Sequence, residues 1–152
     1  MRQAGRYLPE YRAIRAKASL LEICHRPELA AEVTLQPIER LGVDAAILFA
    51  DILLPFEPLG LGLSFTKGEG PAIARPVRSA QDVARLPEID PGKDLAHVLE
   101  TVRLVRKALG GREPLIGFAG APFTLASYAI EGGATRTFVE TKRLMYGDPD
   151  TW

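Results

Sequence analysis

Cysteine is nearly absent. Cys24 is the single one in 152 residues, so no disulfide can form within the chain. That fits a reducing, cytoplasmic setting. Net charge is absent too, since 19 Lys and Arg balance 19 Asp and Glu. No global field favours nucleic acid or an anionic membrane, and anion binding has to come from local arginines. No apolar run is long enough to span a bilayer. The opening Met1-Arg2-Gln3-Ala4-Gly5-Arg6 lacks the apolar core of a signal peptide. Internal repeats and low-complexity segments are missing as well. Cys24-His25 has no second pair at ligand spacing, whereas zinc sites need three or four ligands. A buried thiol beside an ordinary histidine is the expectation there, and no metal.

What is present is the make-up of one ordinary globular domain: 47% hydrophobic and 25% charged residues. The stretch Asp44-Ala45-Ala46-Ile47-Leu48-Phe49-Ala50-Asp51 runs apolar without alternation and stops at a carboxylate. A strand buried on both faces of a parallel sheet reads this way. Ligands sit at the carboxyl ends of such strands. Asp51 therefore reads either as a site carboxylate or as a group that caps a turn or pairs with an arginine.

Pro114-Leu115-Ile116-Gly117-Phe118-Ala119 reads as a second buried strand. Between the two, Asp94 to Leu109 reads as a helix burying Leu95, Val98, Leu99, Val102, Val105 and Leu109, with Gly110-Gly111 as its stop. Together they make a βαβ unit with parallel strands.

Other helices are expected from Leu8-Pro9-Glu10 onward, over a short turn from Ser19 to Cys24, and from Pro27 to Gly42. The last of these should bury Leu29, Ala30, Val33, Ile38 and Leu41, and Pro37 should kink it. Further helices are expected from Pro122 to the stop at Gly132-Gly133 and from Thr135 to Tyr146. Ser79 to Asp82 reads as a capping box, and Asp148-Pro149-Asp150 as the start of another helix. The stretch 54–77, punctuated by proline and glycine, reads as a long excursion with a hairpin around Leu63–Thr66. Such loops after a strand commonly form lids or walls of sites.

Met1 to Tyr7 carries Arg2 and Arg6 with Gly5 between them and few apolar residues. It reads either as a solvated arm or as a segment that brings two guanidinium groups to an anionic ligand. Guanidinium grips carboxylates bidentately, which lysine cannot do. Tyr128 reads either as a helix-face aromatic or as a hydroxyl aimed into a pocket.

Taken together, these stretches resemble the uroporphyrinogen decarboxylase family. The match rests on Met1-Arg2-Gln3-Ala4-Gly5-Arg6-Tyr7-Leu8-Pro9-Glu10, Thr34-Leu35-Gln36-Pro37, Asp44 to Leu53, Gly117 to Leu125 and Tyr128-Ala129-Ile130-Glu131-Gly132-Gly133. The resemblance implies an α/β fold of the (β/α)8 TIM-barrel type, with residues 1–152 forming a single partial barrel truncated at both ends. Such barrels typically need about 250 residues.

It further implies a carboxy-lyase of porphyrin and haem biosynthesis. This enzyme removes the carboxyl groups of the four acetate side chains of uroporphyrinogen III to give coproporphyrinogen III, without cofactor or metal. Asp51 would accept hydrogen bonds from the pyrrole N–H groups and steady the cationic ring. Arg2 and Arg6 would bind substrate carboxylates, with Arg2 also a candidate proton donor. Gln3, Ala4 and Tyr128 would complete the pocket. Cytoplasmic location and a homodimer of the full-length form are also implied, with no nucleic-acid or membrane partner. The family's later pocket serine and histidine have no counterpart here. An open half-barrel exposes unpaired strand edges and apolar faces, so the chain alone is expected to fold poorly or to associate. Two alternatives stand beside this: a non-catalytic truncated fragment, and a corrinoid or thiol methyltransferase relative.

Overall fold

The computed structural model describes residues 4–66 and 70–152. A 3-10 turn over Ala4–Tyr7 leads into helices α1 (Pro9–Arg15), α2 (Leu20–His25) and α3 (Pro27–Leu41), then strand β1 (Ala46–Ile47). A second 3-10 turn (Leu54–Phe56), strands β2 (Leu63–Thr66) and β3 (Gly70–Ile73), and helices α4 (Ala80–Ala84), α5 (Pro91–Asp94) and α6 (Ala96–Leu109) follow. Strand β4 (Leu115–Ile116) and helices α7 (Pro122–Glu131) and α8 (Val139–Gly147) complete the order. These elements fall into two compact units, residues 1–51 with 91–118, and residues 52–90 with 119–152. No helix among the described residues is long and apolar enough to cross a membrane.

The first unit is the expected βαβ. Strands β1 and β4 run parallel, with Ala46 opposite Leu115 and Ile47 opposite Ile116. The ladder is closed by Ala46 N–H to the Pro114 carbonyl at 2.9 Å and Leu48 N–H to the Ile116 carbonyl at 3.0 Å. Both strands are shorter than the apolar runs suggested. Strand β4 is also not buried: Ile116 is 48% exposed, and Phe118, two residues beyond the strand, 46%.

Ala31, Ala46, Leu48, Val105 and Leu109 form the core where α3 and α6 meet β1. Helix α3 is enclosed on more than one side, since α1, α2, α6, β1 and the 3-10 turn all pack on it. It therefore buries Ala31, Thr34 and Gln36 as well as Ala30 and Val33, while Leu41 at its end is exposed. Pro37 lies inside the helix, which continues through it to Leu41. Gly42, at φ 59°, ends it in the left-handed conformation.

The helix predicted from Asp94 is interrupted at Leu95, whose φ of −118° and ψ of 25° are not helical. The buried face of α6 carries Thr101, Val105 and Leu109, and Leu99 lies 43% exposed outside it. Thr101 is accepted in the interior because its hydroxyl donates to the His97 carbonyl at 2.8 Å.

In the second unit the excursion holds the expected hairpin, β2 antiparallel to β3. It is fastened to the carboxyl end of α7. Ile73 N–H reaches the Gly132 carbonyl at 2.8 Å and Val77 N–H the Ala129 carbonyl at 2.9 Å. Arg78 donates from Nε to the Ile130 carbonyl at 3.1 Å. It thereby meets carbonyls at a helix end, where a cation is favoured.

Helix α8 starts later than the sequence suggested. Thr135 Oγ1 accepts from the N–H groups of Thr137 and Phe138, both at 3.3 Å, and so makes a turn. Phe138, at φ 53°, then stands where a capping residue would be. Glu131 takes over that task. Its Oε1 accepts from Thr141 N–H at 2.8 Å and from Thr141 Oγ1 at 2.9 Å.

Candidate functional site

Arg2 and Gln3 lie outside the described residues. Ala4 and Arg6 fall in the 3-10 turn, where Arg6 is exposed. That turn packs on α3 and on α1. Pro9 in the first turn of α1 and Glu10 beside it explain why a helix begins directly after the turn. Glu10 ties α1 to α3 through Arg40 Nε at 3.0 Å, a half-exposed pair worth about 0–1 kcal/mol.

Asp51 follows β1 and is half-buried. The three residues before it leave the ladder in a fixed way. Leu48 donates the last ladder bond, to Ile116. The next N–H, that of Phe49, turns to α3 and donates to Thr34 Oγ1 at 2.9 Å. The Phe49 ring packs against Tyr11 of α1, with centroids 5.9 Å apart and planes tilted by 55°. Both rings are buried. Within the first unit, α1 and α3 thus support both the segment that carries Arg6 and the segment that ends in Asp51.

The sequence reading quoted Thr34-Leu35-Gln36-Pro37 without giving its polar members a task. Thr34 is 2% exposed and its hydroxyl also donates to the Ala30 carbonyl at 2.7 Å. Gln36 is 5% exposed, and neither of its side-chain amide atoms finds a hydrogen-bond partner among the described residues. The signal was legible: two polar residues stand in a run that is otherwise core-facing, and buried polar groups are there to make bonds.

Tyr128 belongs to the second unit. It is half-buried on α7 and lines a cavity of about 250 Å³ with Phe123, Thr124, Ser127, Thr135 and Phe138. Pro122 at the first position starts α7, and Gly132, at φ 85°, ends it. Gly133 approaches Pro71 so closely that a Cβ there would lie 3.0 Å from the Pro71 carbonyl oxygen. The pair Gly132-Gly133 thus does two jobs, one of conformation and one of space. Ser127 Oγ is buried beside Tyr128 without a hydrogen-bond partner among the described residues. No group of three or more potential metal-binding His, Cys, Asp or Glu side chains occurs among the described residues.

The model of the family described as Uroporphyrinogen decarboxylase (URO-D) matches residues 1–152. The chain is 60% identical, over its full length, to the uroporphyrinogen decarboxylase of Sorangium cellulosum, of which it covers 43%. It is 57% identical to that of Carboxydothermus hydrogenoformans, again covering 43%. The chain thus spans less than half the length of these curated relatives. Among solved structures, a methyltransferase from Methanosarcina mazei superposes with a TM-score of 0.61 at 21% identity, over 86% of this chain and 38% of that one. At that identity the likeness bears on the fold alone.

Proposed function

The chain belongs to the uroporphyrinogen decarboxylase family, and we propose that the polypeptide containing it decarboxylates the four acetate side chains of uroporphyrinogen III to give coproporphyrinogen III. The observation that carries this reading is the family match, which runs through every residue assigned a role below. We read residues 1–152 as part of a (β/α)8 barrel, with the parallel pair β1 and β4 as two of its strands. The methyltransferase superposition supports that architecture.

The chemistry follows from the substrate. Each acetate loses CO2 by breaking the bond between its methylene and its carboxylate, and the electron pair stays on the methylene carbon. Proton addition to the electron-rich pyrrole turns the ring into a cation that can take up that pair. A proton then adds to the methylene carbon in place of the lost carboxylate, and the ring gives up the proton it gained, which leaves a methyl group on a neutral pyrrole. Over the cycle one acetate and one proton become one methyl and one CO2.

A carboxylate held against the pyrrole N–H groups favours the cationic ring over the neutral one, and that difference lowers the barrier. Asp51, at the carboxyl end of β1, is the group assigned this part. Arg2 and Arg6 bind the substrate's carboxylates, with Arg2 also the candidate proton donor. Gln3 and Ala4 shape that wall, and the Tyr128 hydroxyl completes the pocket. This assignment gives no task to a metal or prosthetic group. Two copies of the full-length form pair as a homodimer in the cytoplasm.

The test is anaerobic incubation of the full-length polypeptide with uroporphyrinogen III, followed by separation of products by carboxyl number. Stepwise loss of four carboxyl groups is expected. Unchanged substrate under conditions where a characterised relative turns over would contradict the reading.

A further inference from the structure

We propose that Thr34 is a positioning residue for Asp51, and that its hydroxyl, not the sheet, sets where the catalytic carboxylate stands. This deepens the function proposed above and rests on it. N–H groups along a strand point alternately to its two sides, so the strand bonded to β4 through Ala46 and Leu48 directs the Phe49 N–H to the opposite side. There it meets Thr34 Oγ1 at 2.9 Å.

A hydroxyl suits this place for a specific reason. Its single proton is committed to the Ala30 carbonyl one turn back, at 2.7 Å. That bond fixes the side-chain torsion of a residue that is already stiff. The lone pairs are left facing Phe49, so the acceptor is aimed by the helix itself. Valine has the same shape and offers no acceptor. Burial at 2% excludes bulk water as a substitute.

The grip is reinforced from the other end of the residue, because Tyr11 packs on the Phe49 ring. Phe49 is therefore fixed at main chain and side chain, two residues before Asp51. Helix α3 also carries the 3-10 turn that bears Arg6. One helix is thus the common support of the carboxylate segment and the guanidinium segment. Misplacing a catalytic group by about 1 Å can cost roughly a hundredfold in rate.

The experiment compares Thr34→Val, Thr34→Ser and Asp51→Asn in the full-length polypeptide. Turnover of uroporphyrinogen III is measured together with amide hydrogen exchange at Phe49. Thr34→Val is expected to lower kcat by about tenfold or more while KM stays within about twofold, and to speed exchange at Phe49. Thr34→Ser, which keeps the hydroxyl, restores kcat to within about threefold of wild type and restores protection. If Thr34→Val does not fold, Thr34→Ala reads the same quantities.

Wild-type kcat in the folded valine or alanine variant overturns the positioning role. So does a serine variant as poor as the valine one. If Asp51→Asn has lost turnover in the same series, the decarboxylase reading survives that failure. Full turnover in Asp51→Asn overturns the role of the carboxylate and with it the positioning role, while wild-type turnover still carries the decarboxylase reading.

Discussion

At the scale of single residues, the glycines and the buried polar side chains are more instructive than the charged ones. A methyl group at Gly133 would be tight, because the Pro71 carbonyl oxygen lies 3.0 Å from where a Cβ would be. The obstacle is backbone, so it can give way only if the hairpin shifts by a few tenths of an ångström. Gly133→Ala in the full-length polypeptide should therefore destabilise by about 1–3 kcal/mol, as overpacking does. It would be read as a lower denaturation midpoint with an unchanged slope. An unchanged midpoint would show that the hairpin yields without cost. The motif residues Asp51 and Tyr128 were legible as candidates from their places, one at the end of an apolar strand and the other on the helix that follows the second apolar run. Thr34 stood out as a polar residue in a core-facing run, but its task was not legible, because its hydroxyl serves Phe49, fifteen residues away, and spacing along the chain carries no record of that meeting.

At the scale of elements, the sequence marked starts and stops well where the signal is local. Pro27 and Pro122 begin helices, and Gly42, Gly110 and Gly132 end them at φ 59°, 60° and 85°. It failed where a distant group does the work. Helix α8 starts late because the Thr135 turn comes first, and Glu131 caps it from another helix. The burial of Thr101 in place of Leu99 on α6 is a different case, since the bond that satisfies its hydroxyl is local, to the His97 carbonyl one turn back.

Two local caps carry a pH prediction. Ser19 and Glu22 form a reciprocal capping box at α2. At α4, Ser79 accepts from Asp82 N–H, while Asp82 accepts from Arg78 N–H at 3.1 Å. Hydrogen bonds to the Ser19 backbone and side chain hold Glu22 below its usual range, and the Ser79 hydroxyl and Arg78 N–H do so for Asp82. Folded values below unfolded ones mean stability that is present above the unfolded pKa of about 4 and lost as pH falls through the folded one. Glu22→Gln should therefore weaken the full-length polypeptide in urea at pH 7 and make little difference near pH 2. An equal gap at both pH values would refute the linkage. Ser19→Ala should cost about 1 kcal/mol at neutral pH.

At the scale of the whole molecule, the chain matches its curated relatives over all 152 residues and covers 43% of the first of them. Ile116 of β4 and Phe118 just beyond it are about half exposed, a surface that soluble strands usually cover or blunt with charge. Gln36 has a buried amide with no hydrogen-bond partner among the described residues, and a buried polar group left unpaired costs about 1–3 kcal/mol. Residues 1–152 purified alone should therefore run in size-exclusion chromatography as an associated species larger than 16.6 kDa. A compact, monodisperse monomer would count against the barrel assignment. The central claim is that one carboxylate steadies a transiently cationic tetrapyrrole, and its most direct test is the turnover of Asp51→Asn in the full-length polypeptide. The change keeps the size of the side chain and removes its charge. The account predicts a loss of at least about a hundredfold in kcat, about 2.7 kcal/mol of barrier, with the fold intact by circular dichroism. Turnover within a few-fold of wild type would contradict it.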